Sequence, residues 1–434
     1  MKKVLIITYY WPPASGPGVQ RWLKFAKYLP QFGWQPIILT VKDGSFIMTD
    51  PTLNEDVPSN MPVFRVSSLE PFRIYNLLRG KKGKAVKIAM ESVKSPTTFF
   101  QKFSNYVRAN FFIPDARLGW RFKAIPAAKK IIKEHQIETI ITTGPPHSTH
   151  LIGLHLHQKN KNLKWIADLR DPWTNVFYNN FLLRSEKTKK KDKQYEDSVV
   201  KTANGVLVVS KGMQEEFQDR NKKTFLFYNG YDEKDIPKVT SHLTTKFTLA
   251  YIGNMKPNQN TIALWETLAE LKKEIKDFGK FFILSFTGNV AVQVSKKIQE
   301  CGIEDIVEYH PFVKHAQAVQ LMTESNLLFL PIPMTKNNQY IITGKIFEYL
   351  ASTTPILAIG PVDGNAATIL TECNREPMID YQDTKTLKYF LQKHFYDWQK
   401  NNHISTKIQD ETHTKFSREK ITKELAHLLN SYNT

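Results

Sequence analysis

In the string TGKIFEYLAS, Lys345 and Glu348 stand three residues apart, a spacing that puts an ammonium and a carboxylate on one helix face. Thr343 and Gly344 lead into that helix, whose first turn offers free N–H groups and a positive dipole end to a phosphate. Lys345 supplies a cation for an anionic group, and Glu348 a carboxylate that accepts from hydroxyls. The plainer alternative is an exposed i,i+3 ion pair, worth about 0.3 kcal/mol. Two further constellations lie upstream. His147 follows Gly144-Pro145-Pro146 and reads either as a hydrogen-bonding or acid–base group or as a structural histidine. His150, three residues on, completes no metal spacing, so no metal site is expected. In DLRDPW, Asp168, Arg170 and Asp171 form either an ion-pair knot or a group that orients a substrate, with Trp173 as an aromatic platform.

Each of these groups follows an apolar run of strand length. Residues 327–330 are continuously apolar and are stopped by Pro331 and Pro333; an amide-rich loop with Thr335, Asn337, Asn338 and Gln339 then delivers the Lys345 helix. Residues 4–9 lead into Gly16 and Gly18 and then a helix with apolar Trp22, Phe25, Ala26 and Leu29, the opening of a nucleotide fold. Runs at 137–143, 164–169 and 206–209 repeat the pattern, as do 247–254, 281–288 and 307–313 farther on. Gly253 with Asn254, and Gly288 with Asn289, end two of them, where small residues let a nucleotide lie close. Alternating βα units of this kind predict an α/β fold of doubly wound parallel sheets, with ligands beyond the strand ends.

The string GKIFEYLAxxxPIL resembles the nucleotide-sugar signature of the retaining, family-4-type glycosyltransferases, whose GT-B fold sets two Rossmann-like domains about a cleft. The resemblance implies that Glu348 holds the ribose hydroxyls and that Lys345, Thr343 and Gly344 surround the diphosphate. Tyr340 stands where the family often has a second glutamate touching the donor sugar, in the same loop as Asn338. Gly16 and Gly18 are implied to face the cleft, Lys256 of NMKPNQN to touch the diphosphate where Gln259 replaces a more basic residue, and Val313 with Lys314 to lie beside the base. His147 would serve a sugar; Asp168, Arg170 and Asp171 would orient the acceptor, with Trp173 stacked on a sugar face. The segment ending at Asp232 resembles the crossing into the second domain, and the helical pattern after Ser417 the helix that crosses back. The implied domains are 1–231 completed by 415–434, on the acceptor side, and 232–414, on the donor side, with a polar linker at 232–246. The implied activity is transfer of a sugar, with retention, from a UDP- or GDP-sugar to a lipid-linked or saccharide acceptor in cell-surface polysaccharide synthesis, without a permanently bound cofactor. A sugar-nucleotide epimerase or hydrolase of the same fold is the enzymatic alternative.

Bulk properties bound the remaining classes. A chain of 434 residues with 41% hydrophobic content is large enough for two cores. Two cysteines make no disulfide framework, which suits a reducing compartment. MKKVLIIT reads as a first strand, since its apolar run is too short for a signal peptide, and no stretch approaches 18 apolar residues. The net charge of +19 asks for an anionic partner: nucleic acid, a membrane surface or anionic substrates. Zinc spacings, arginine-rich repeats and an RNP-like strand are lacking, so nucleic acid is not expected. Basic runs at 79–108, beside Phe99, Phe100 and Phe103, and at 184–193 are either solvated helical segments or a surface for anionic headgroups. The expected location is the cytoplasm, peripheral at the inner face of the membrane.

Overall fold

The computed structural model describes residues 1–44, 46, 49–69, 106, 107, 109–176, 179, 182–237 and 241–432. The chain divides into two compact units, Met1–Asn229 with Arg418–Thr434, and Gly230–Ser417.

Unit 1 holds one seven-stranded parallel sheet in the order β3-β2-β1-β4-β5-β6-β7. Its strands are β1 (Lys2–Thr8), β2 (Trp34–Val41), β3 (Val63–Val66), β4 (Thr139–Gly144), β5 (Lys164–Leu169), β6 (Gly205–Val208) and β7 (Thr224–Leu226). The crossovers include helices α1 (Pro17–Tyr28), α2 (Arg121–His135), α3 (Ser148–Lys159), α4 (Glu186–Thr202) and α5 (Lys211–Gln218). Both faces of the central strands are covered, which is why they read as unbroken apolar runs. Alternate residues of β1 serve opposite cores: Leu5 and Ile7 pack with Trp120, Ala124 and Ile152, whereas Val4 and Ile6 pack with Trp22 and Phe25 of α1. The short edge strands β3 and β7 are not among the strands the sequence suggests; with a few residues each, they carry too little pattern.

Unit 2 holds a five-stranded sheet in the order β10-β9-β8-β11-β12, again parallel throughout. Its strands are β8 (Phe247–Ile252), β9 (Phe282–Thr287), β10 (Val307–His310), β11 (Leu327–Pro331) and β12 (Ile356–Ile359). Between and after them run α6 (Ile262–Glu274), α7 (Val292–Glu300), α8 (His315–Glu324), α9 (Lys345–Ala351), α10 (Asn365–Glu372) and α11 (Thr384–Lys400). β10 is an exposed edge and stops at His310, so Val313 belongs to the loop after it and not to the strand. Part of the stretch read as a linker is built into this unit: Leu243 pairs with Ile404, and Thr244 Oγ1 accepts from Trp398 Nε1 at 2.8 Å. The chain then returns to unit 1 as α12 (Arg418–Ser431), whose Ile421, Leu425, Ala426 and Leu429 join the core of Val4 and Ile6.

In each sheet the strand order reverses direction beside the first strand, between β1 and β4 in unit 1 and between β8 and β11 in unit 2. Loops leaving the carboxyl ends of those strands diverge and open a crevice.

Candidate functional site

In unit 2 the loop after β8 begins at Gly253, whose φ of 127° lies in the region that favours glycine. A Cβ there would also come within 2.8 Å of Lys345 Cε and Nζ. Asn254 fastens this loop to the next one, its Oδ1 accepting from Asn289 N at 3.3 Å and Nδ2 at 3.2 Å. Gly288 packs so closely that a Cβ would stand 2.6 Å from Gly253 O. Gln259 takes a structural role: buried, it accepts from Lys256 N at 3.1 Å and donates Nε2 to Pro331 O at 3.1 Å, tying the loop to the end of β11.

Lys345 opens α9, and its ammonium sits 3.8 Å from the centre of the Tyr251 ring. Among the described residues no carboxylate lies within 4.0 Å of it. The exposed i,i+3 ion pair is therefore not formed; Glu348 Oε1 stands instead 3.8 Å from His315 Nε2. Burial pushes the Lys345 ammonium down to about 7; Glu348 opposes that shift and neighbouring Lys256, itself exposed, adds to it. Two lysines thus converge where no described residue supplies a close anion. The helix is only seven residues long, so the side-chain cation, more than the dipole, gives the place its charge.

Several enclosed polar atoms in the sheet's loops have no partner among the described residues: Thr343 Oγ1 and Thr335 Oγ1 after β11, Asn258 Oδ1 after β8, and Asn365 Nδ2 after β12. Sequence reasoning passed over Asn258 and Asn365, although the glycine-bearing loop from β12 to α10 repeats the pattern used elsewhere. Gly344 has open space around it. Asn338 is spent on its own loop, donating to Pro333 O at 3.2 Å and to Tyr381 Oη at 3.0 Å. Tyr340 closes the same turn and is exposed. Val313 is half-buried beside the exposed Lys314.

In unit 1 Asp168 is fully buried and saturated, paired with Arg21 at 2.9 Å and accepting from Trp22 Nε1 at 2.6 Å and Thr143 Oγ1 at 2.8 Å. The ion-pair knot exists, but its cation is Arg21, which also donates to Phe227 O and Tyr228 O. Asp168 holds α1 on the sheet and offers nothing to a substrate. Arg170 donates Nε to Thr143 Oγ1 at 3.1 Å and Nη2 to Pro145 O at 2.7 Å, while its Nη1 would lie 1.5 Å from a Cβ on Gly18. Gly18 is thus required by Arg170, and Gly16 by its own φ of 128° at the cap of α1. Asp171, half-buried, has its carboxyl raised by burial against the pull of Arg170.

Trp173 presents no free face. It is 1% exposed, donates Nε1 to Asp192 at 2.8 Å, and lies parallel to His147 at 4.7 Å. His147 is itself buried, and neither ring nitrogen has a partner among the described residues. Burial, aided by His150, holds it well below the ordinary histidine value, so the ring is neutral. His150 bonds Thr142 Oγ1 at 2.9 Å and is pushed to about 3 by burial and then Arg170. Asp115, which the sequence did not single out, caps the helix behind His147 by accepting from Ser148 N and Oγ, each at 2.8 Å.

Of the two basic runs, 184–193 forms the arm and first turns of α4, capped by Ser185, with Lys187, Lys189, Lys190 and Lys191 exposed. The run at 79–108 lies outside the described residues except for 106 and 107.

No family model matches the sequence, and no curated protein does. Solved structures do match over the full length. A glycosyltransferase from Rickettsia africae aligns with a TM-score of 0.62 at 14% identity, covering 100% of each chain. Sucrose-phosphate synthase from Thermosynechococcus elongatus gives 0.61 at 15% identity over 99% of each. A point mutant of S. aureus TarM, in complex with fondaparinux, α-GlcNAc-glycerol and UDP, gives 0.60 at 13% identity over 100% of each. With its two Rossmann-like parallel sheets, the chain has the GT-B fold.

Proposed function

We propose that the protein is a family-4-type glycosyltransferase that moves a sugar, with retention, from a UDP- or GDP-sugar to a lipid-linked or saccharide acceptor in cell-surface polysaccharide synthesis. The observation that carries this reading is the Lys345 ammonium, set over Tyr251 and beside Lys256 at the β8/β11 switch point with no carboxylate in salt-bridge reach among the described residues. A diphosphate is an anion that two converging lysines would hold. As the bond to the sugar breaks, negative charge grows on the departing diphosphate, and cations fixed in advance stabilise it without reorganising. Gly253 and Gly288 let the phosphates approach the main chain, Thr343 Oγ1 offers a donor, and Glu348 accepts from the ribose hydroxyls. The neutral His147, with both nitrogens unspent, exchanges hydrogen bonds with a sugar hydroxyl, and Arg170 with Asp171 orients the acceptor. The UDP in the TarM structure fits this reading. The exposed lysines of α4 support a cytoplasmic enzyme resting on the inner face of the membrane.

Calorimetric titration with UDP, GDP and ADP tests the donor site. Glu348→Gln keeps one acceptor oxygen and loses charge assistance, so it is expected to weaken nucleotide binding at least ~10-fold, since bonds to charged groups are worth roughly 1.5–3 kcal/mol and neutral ones about 1. Absence of binding by the wild type sinks the proposal. Asp171, with its raised carboxyl, is the group that an epimerase or hydrolase of the same nucleotide sugars would use. Release of nucleotide without an acceptor would select that second reading.

A further inference from the structure

Glu348 has a neighbour to which nothing above gives a role. His315 is the first residue of α8, and its Nε2 lies 3.8 Å from Glu348 Oε1 and 3.5 Å from Asp235 Oδ2. One imidazole nitrogen therefore faces two carboxylates from separate elements, the first turn of α9 and the turn Glu233–Asp235. All three side chains keep partial exposure, 32% for His315, 22% for Asp235 and 21% for Glu348, so the cluster borders solvent and can meet a ligand.

Both separations are longer than a hydrogen bond. The imidazole edge beside Glu348 thus limits where its carboxylate can lie without occupying the lone pairs that would accept from hydroxyls. A glutamate has three rotatable bonds, and holding it in place beforehand removes ordering entropy from the binding step. Asp235 approaches the same Nε2 from a separate element, which fixes the ring edge beside Glu348.

We infer that His315 is a positioning residue for ribose recognition, a ring set beside Asp235 that presets the Glu348 carboxylate toward the two hydroxyls. The inference rests on the reading of Glu348 as the ribose acceptor.

The test uses the full chain, with UDP, GDP and ADP titrated into the wild type, and then the tightest of them compared with its 2′,3′-dideoxy counterpart. If none binds, the donor reading fails and takes this inference with it. Given binding, His315→Ala is expected to weaken the ribonucleotide about fivefold to tenfold and leave the dideoxynucleotide unchanged, because the hydroxyls that Glu348 serves are then missing. Asp235→Asn should shift the ribonucleotide in the same direction by less. In a Glu348→Gln background, His315→Ala should add nothing. Equal losses for both nucleotides, as a base contact or a merely structural role would give, overturn the inference while leaving the donor site standing. So does an unchanged affinity for the ribonucleotide.

Discussion

Lys345 carries its charge where water does not fully support it, and that has a measurable sign. Burial holds its ammonium near 7, below the ordinary 10.5, so between those values the unfolded chain binds more protons and stability rises with pH across the window. A bound diphosphate favours the charged form and raises the value again. At pH 8, UDP or GDP binding should therefore take up close to one proton, measured by calorimetry in buffers of different ionisation enthalpy. Lys345→Arg, charged throughout, should show no uptake. Asp168 behaves differently, because its carboxylate is buried against Arg21 and already satisfied. Asp168→Ala leaves Arg21 uncompensated in the core, an expected cost of about 3–5 kcal/mol in urea unfolding. Nucleotide affinity of the folded variant should stay the same, since the proposed donor residues belong to the other unit. Loss of affinity without loss of stability would contradict that assignment.

At the scale of elements, local pattern was readable and distant pairing was not. The parallel strands announce themselves as apolar runs because helices cover both faces, and Ser210 caps α5 within three residues of its partner, Met213 N. The lysine, threonine and glutamate of the α9 region lie together on one short segment, so the proposed donor site is legible as a string. Asp168 and Arg21 are 147 positions apart, and Asp115 and Ser148 are 33 apart. Nothing in the spacing of DLRDPW says which arginine its first aspartate will take, or that Trp173 will be covered by His147. Asp115→Ala removes two bonds from the start of α3 and should cost about 1–2 kcal/mol, read from chemical denaturation. Leu425→Ala in α12, a fully buried side chain, is expected to cost about 2–5 kcal/mol by leaving a cavity against α1.

For the molecule as a whole, the charge of +19 is the property that fold does not explain. The exposed lysines at the start of α4 are part of it, and each charge near an anionic leaflet is worth about 1 kcal/mol. Changing Lys189, Lys190 and Lys191 to Glu should abolish co-sedimentation with phosphatidylglycerol vesicles, and raising salt toward 1 M, where the Debye length shrinks to about 3 Å, should do so for the wild type. Co-sedimentation that survives the triple change removes this patch from the membrane reading. The return of α12 to unit 1 also matters before the protein is finished. A ribosome makes Met1–Asn229 first, then every residue of unit 2, and only afterwards the helix that covers Val4 and Ile6. Throughout that interval the first unit has a core open on one side, whereas Gly230–Ser417 is continuous and can close as soon as it has emerged. The order of completion is thus the reverse of the order of synthesis, and a released chain truncated before Arg418 should be cut by protease within its N-terminal half while the second unit resists.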